Sequence, residues 1–302
     1  MGLFSFNYSK PGPGVDVNEP EKKGFFRFWE IIFEKFSKLL GLNTLHGLVS
    51  IIYFALLFFI APVNDDWLKT LVRDVSADAD TLATATLTFS ILLRSIFSLA
   101  VITFWGSGPS SAVYSYVSRC FVRRDPVWII SDGKDKFKEN FKQSMIVVII
   151  DVVALFLSMN AISFYSGMLT KTGNMFFMLL TSLMIIVFVL YTWMHYYIYQ
   201  IMITFECTLK QLYKNALIFA IACLPMNLFL TILAGGVLIS LYFFMNPLFA
   251  LILNVVVLGM FTRFPIEFYA ARKIKKVAIK DEDMPQKDTK MEYFPNLEED
   301  DN

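Results

Sequence analysis

With two histidines and three cysteines in 302 residues, the chain has little with which to do metal or nucleophile chemistry. His46 and His195 are too few and too far apart to form an HExxH motif, a paired-histidine site or a haem ligand set. Cys120, Cys207 and Cys223 are odd in number and widely spaced, which argues against a disulfide framework or a CxxC metal site. They read as small apolar residues. The small-residue turn at 106–111 lacks the lysine that a phosphate-cradling loop needs, and neither GxSxG nor a pair of catalytic carboxylates in an open cleft occurs. No catalytic residue, no metal ligand and no cofactor can be named, so the chain is not expected to be an enzyme. The first residues hold no apolar core of signal-peptide length and are expected to stay in the mature protein. Phe6 stands where a myristoylation signal needs Ser or Thr.

Charge is also scarce, at 18% of residues against 56% hydrophobic. Apolar runs recur at a length that crosses about 30 Å of hydrocarbon. The expected fold is an all-α polytopic membrane protein with six transmembrane helices near 44–63, 83–105, 144–165, 175–200, 216–241 and 247–270. Residues 1–23 read as an irregular arm, 24–272 as the membrane domain, and 273–302 as a charged, disordered tail. Spans three and four, and five and six, are joined so tightly that each pair reads as a helical hairpin.

Two amphipathic stretches accompany the spans. In 24–41, Phe25, Phe28, Trp29, Phe33 and Phe36 recur at helical spacing, with Arg27, Glu30, Glu34, Lys35 and Lys38 opposite. That pattern suits a helix lying in the membrane interface, or one packed on the ends of the spans. The longest polar connection, 106–143, reads as a platform. Pro109 should open a helix, with Val113, Tyr116, Val117, Cys120 and Phe121 on one face and Ser111, Ser115, Ser118 and Arg119 on the other. Pro126 should break it, and Ser131 or Asp132 should cap a second helix leading into span three. KFKENFKQSMIVVII from Lys136 and TLKQLYKNALIFAIA from Thr208 are weakly alike, which suggests either a repeated hairpin unit or two basic helices that each enter a span.

The positions of Lys and Arg set an orientation. With the N-terminus inside, the inner segments hold 23 and the outer ones three, Lys69, Arg73 and Lys171. Both termini are therefore expected in the cytoplasm.

Charges inside spans mark function by default. Arg94 in span two and Asp151 in span three read as an intramembrane pair, as an ion site, or as two charges lining a wet cavity. His195, among tyrosines at the end of span four, reads as a satisfied residue of an aromatic belt. Arg263 and Glu267, four apart, should pair locally. Pro225 and the Gly235, Gly236 pair signal either close helix packing or a broken span. Span four stays apolar to Phe205, too far for the bilayer alone, and is expected to project inward beside the platform.

The opening MGLFSFNYSKPGPGVDVNEPEKKGFFRFWEIIFEKFSKLLGLN, the platform GPSSAVYSYVSRCFVRRDPVWIISD with FKENFKQS, and TLKQLYKNALIFAIACLP together resemble the YesL family of bacterial integral membrane proteins. The similarity spans most of the chain and fails in the tail. The resemblance implies a plasma-membrane protein of Gram-positive bacteria, of a kind typically encoded beside carbohydrate ABC importers, with no activity and no site residues to carry over. The expected function is that of an accessory subunit of such an importer, with membrane lipid and permease subunits as partners, no nucleic acid, and homo-oligomerisation left open. Its contact residues would be Arg119, Phe121, Arg123, Arg124, Phe137, Lys138, Phe141 and Lys142. The alternatives are a small secondary transporter or channel using Arg94 and Asp151, and a membrane partner of a sensor kinase.

Overall fold

The computed structural model describes residues 24–73 and 78–278. The arm at 1–23 and the tail beyond 278 lie outside the described residues. The protein is an all-α polytopic membrane protein, and six helices among the described residues are long and apolar enough to cross a bilayer. In chain order the helices are α1 (Gly24–Glu34), α2 (Phe36–Ile60), α3 (Asp65–Val72), α4 (Ala79–Phe104), α5 (Pro109–Arg123), α6 (Ile129–Thr172), α7 (Met175–Thr204), α8 (Leu209–Ala222), α9 (Leu224–Phe244), α10 (Pro247–Leu253) and α11 (Gly259–Ala278). A π-helical turn, Asn254–Leu258, joins α10 to α11.

Several boundaries differ from the sequence expectation. The stretch at 24–41 is not one helix: α1 ends at Glu34, and Phe36 already belongs to the first span. The break before α6 falls after Pro126 as expected, but the helix opens at Ile129 with Trp128 as its first flanking residue. Asp132 does not cap it from outside. Its carboxylate reaches back from inside the first turn to accept the Trp128 amide at 2.8 Å. From there α6 runs unbroken for 44 residues, about 66 Å at the helical rise, so its N-terminal third extends past the hydrocarbon. The fifth span begins at Leu224 and not at 216, because the chain breaks at Cys223, with Pro225 in the first turn of α9. α8 is a separate helix, opened by a capping box between Thr208 and Gln211. The two similar basic segments therefore have different geometry, one continuous with its span and one not. The helix continues straight through Gly235 and Gly236, and nothing approaches Gly236 closely. Residues 273–278, expected in the disordered tail, are instead helical as the end of α11.

Burial shows where the fold is held. No residue of α7 before Trp193 is buried, whereas every residue from His195 to Thr204 is. Thr262 to Phe268 of α11 is likewise entirely buried. The first apolar core joins the end of α7 to α8, the start of α9 and α11 through Tyr197, Ile201, Leu212, Ala216 and Ile266. The second joins α1, the start of α2, α5 and α11 through Ile31, Leu42, Tyr114, Val117, Met260 and Phe264. Both lie at the end of the bundle that carries α1, α5 and α8, here called the basic end. The far halves of the spans present Ile52, Phe59, Met175, Leu179, Phe243 and Phe244 outward, as helices bathed in lipid would. The extension of α7 beyond bilayer length is the post around which this end is built.

Candidate functional site

The connection between α4 and α5 shapes the basic end. Gly106 and Gly108 both have positive φ, +90° and +74°. A Cβ on Gly106 would lie 2.6 Å from the Tyr199 ring and 2.7 Å from the Ser111 hydroxyl, so only glycine fits the turn. The turn is fastened to α7 by the Gly108 amide, which donates to the Tyr199 hydroxyl at 3.1 Å. A serine cluster fastens it to α2: Ser50 and Ser107 hydroxyls are 2.6 Å apart, and Ser107 and Ser110 2.7 Å. α5 then starts at Pro109, as the sequence requires.

α5 does not lie on a surface with its polar side wet. Ser111, Ser115, Ser118 and Arg119 are all buried, because their side of the helix faces α7 and α11. Ser115 and Arg119 of this stripe enter a buried network, while Ser118 Oγ is buried without a partner. The Ser115 hydroxyl is 2.8 Å from both Glu267 oxygens, Gln200 Nε2 donates to the same carboxylate at 2.7 Å, and Arg263 Nη2 donates at 3.3 Å. Arg263 Nη1 donates to the Ile102 carbonyl at 2.8 Å. Arg119 donates to the Ile203 carbonyl and to Thr204 Oγ1 at the end of α7. One carboxylate and two guanidiniums thus tie together α4, α5, α7 and α11, with the donors that a buried charge needs. The local Arg263 and Glu267 pair is present as the spacing predicts.

A second polar centre links α6 and α7. Asp151 is buried and accepts from the Tyr191 hydroxyl at 2.8 Å, with His195 Nε2 also at 2.8 Å. His195 Nδ1 lies 2.9 Å from the Tyr191 carbonyl, and the ring stacks on Trp105 at 5.2 Å. His195 is thus satisfied within an aromatic cluster, but by a carboxylate that sequence reasoning had assigned elsewhere.

The expected pairing of Arg94 with Asp151 does not occur. Arg94 donates to the carbonyls of Phe58, Ala61 and Val63 at 3.3 to 3.4 Å, and its Nε to Ser90 Oγ at 3.2 Å. These carbonyls close the C-terminal end of α2, where unpaired C=O groups and the helix dipole favour a cation. The side chain therefore extends toward the far end of the bundle, away from the depth of Asp151.

The proposed contact residues also divide. Arg119 and Phe121 are core, at 4% and 3% exposure. Arg123 and Phe137 are half-buried, and Arg124, Lys138, Phe141 and Lys142 are exposed. Arg124 lies near Glu30 of α1 at 3.7 Å. Trp128 and Ile130, more than three-quarters exposed at the start of α6, extend this surface and were not singled out by sequence. In α1, Phe25, Trp29 and Phe33 face outward, and so does Phe36 at the start of α2. Phe28 packs on Phe264 and Phe268. Arg27, expected on the wet side of α1, is buried: it donates to the Phe121 carbonyl at 3.0 Å and pairs with Glu30 at 2.6 Å. α1 is therefore docked on the ends of the spans and still presents aromatics outward.

Beside Arg263 lies a cavity of about 110 Å³ between α2, α4 and the α10–α11 junction. Among the described residues no three of His, Cys, Asp and Glu gather as a metal site. No family model, curated protein or solved structure matches the chain.

Proposed function

We propose that the chain is an accessory integral membrane subunit of a bacterial carbohydrate ABC import system, assembling with its permease or regulating it. The resemblance to the YesL family supports the setting. The 23 to 3 distribution of Lys and Arg supports a plasma-membrane orientation with both termini cytoplasmic. The observation that carries the reading is the use made of buried charge. Asp151, Glu267, Arg263, Arg119 and Arg94 all bond to neighbouring helices. Four of the five knit one end of the bundle, and α7 has no charged residue along its length. Such charges brace helices; they do not line a path across the bilayer, which weighs against a stand-alone transporter.

The reading places the partner surface on the part of α6 that outruns the membrane. Trp128, Ile130 and Phe141 are exposed apolar side chains, two of them the aromatic anchors that interfaces favour, and Lys138 and Lys142 are exposed farther along the same helix. Trp128→Glu with Lys138→Glu should cut copurification of permease subunits at least tenfold while membrane insertion stays intact. Undiminished copurification would remove this surface from the reading.

A further inference from the structure

We propose that the cavity between α2 and the α10–α11 junction binds the anionic oxygen head, phosphate or carboxylate, of a membrane amphiphile that enters from the hydrocarbon side. Three of the residues that line it carry a buried nitrogen donor with no protein partner, Asn43 Nδ2, Asn254 Nδ2 and Arg263 Nε, and His46 Nδ1 is a fourth unpartnered buried nitrogen on a lining residue. The three donors belong to residues 3%, 7% and 6% exposed. A donor left without an acceptor in such surroundings costs about 1–3 kcal/mol, and here three belong to side chains around one space.

The surrounding bonds fix what these donors can accept. Asn43 Oδ1 is taken by the Tyr114 hydroxyl at 2.8 Å. Burial pushes that phenol well above its ordinary value, so it stays a donor. Arg263 Nη1 and Nη2 are committed to Ile102 and Glu267, which leaves Nε for the cavity. The Glu267 oxygens are in turn occupied by Ser115 and Gln200. What the three unpartnered groups offer is donors beside a guanidinium, and a ligand that offers several anionic oxygens complements them.

Apart from His46, Tyr114 and the hydroxyl residues Ser50, Thr103 and Thr262, the rest of the lining is apolar. Leu48 and Ile51, 58% and 59% exposed, belong to the outward face of the first span, so the cavity lies directly beneath the surface that meets lipid. A free anion would have to cross that surface, whereas an amphiphile can leave its chain there. The backbone is adapted to the same place. Asn254 opens the π-helical turn, a rare geometry found frequently at functional sites. Gly47 has no room for a Cβ against Val255, and a Cβ on Gly259 would meet Asn43 Oδ1 at 2.9 Å. The inference does not depend on which protein partner the chain has.

The test is native mass spectrometry of the full chain in mild detergent, titrated with short-chain phosphatidylglycerol or phosphatidylcholine, with inorganic phosphate scored by thermal unfolding. One phosphatidylglycerol per chain should be retained in preference to phosphatidylcholine. Affinity should fall about tenfold in Asn254→Leu, which removes one donor to a charged group. It should also fall in Leu48→Trp, which fills the mouth from an exposed position and touches no hydrogen bond. Inorganic phosphate at the same concentration should not stabilise the protein. Retention that is equal for both lipids, or unchanged in Leu48→Trp, would overturn the proposal. Stabilisation by inorganic phosphate alone would overturn the entry of an amphiphile.

Discussion

Asp151 has two donors on its carboxylate, Tyr191 and His195, both on α7. Replacing it by leucine strands both and should cost about 2–4 kcal/mol, roughly 1–2 per orphaned donor. Asp151→Asn keeps an acceptor and should cost clearly less. Thermal unfolding in detergent would show the difference, and equal losses would mean that the contacts contribute nothing. The partnership with His195 was readable from spacing. Asp151 and His195 stand 22 residues on either side of Gly173, the turn of the α6–α7 hairpin, and equal distances from an antiparallel turn give equal depth. Arg94 misled because its charge suggested a carboxylate, when the carbonyls at the end of α2 supply the acceptors. Arg263 and Glu267 could be paired from the sequence because both lie on one helix face. Their bonds to Ser115, Gln200 and Ile102 could not, since these come from other helices.

At the scale of elements, the turn before α5 and the docking of α1 make separate claims. Gly106 and Gly173 both have positive φ, but Gly173 faces open space and Gly106 faces Tyr199 and Ser111. Gly173→Ala should cost about 1 kcal/mol from backbone strain alone. Gly106→Ala adds overpacking and should cost at least about 2 kcal/mol more. Similar unfolding midpoints for the two variants would contradict the fit described for this turn. α1 is held through Arg27 to the carbonyl of Phe121, so Arg27→Ala should speed amide exchange in α1 while α7 exchanges as before. Uniform acceleration would mean that α1 is not an independent element. The existence and order of the spans were legible because long apolar runs have one physical reading. The side of α5 that meets water was not. A stripe of serines and an arginine looks the same whether it faces solvent or a buried carboxylate six helices away in sequence, and Glu267 is 152 residues from Ser115. Arg27 was misplaced for the same reason, because its partner is a backbone carbonyl that leaves no trace in side-chain pattern.

For the whole molecule, the two larger packed cores sit at the basic end, smaller ones around Leu57 and Tyr242 hold the spans farther along, and the far halves also carry much exposed apolar surface. The weighting toward one end fits the proposed role, a braced platform held against a membrane complex. Cysteine accessibility gives an independent check of the orientation. A cysteine placed at Lys138 should react from the cytoplasm, and one placed at Lys69 from outside. The measurement that bears most directly on the proposal is isolation of the tagged full chain from its native membrane in nanodiscs, with mass spectrometry of what accompanies it. The proposal predicts permease subunits in near-stoichiometric amount, lost when Trp128 and Lys138 are changed to Glu. Recovery of the chain alone, or only with copies of itself, would contradict it.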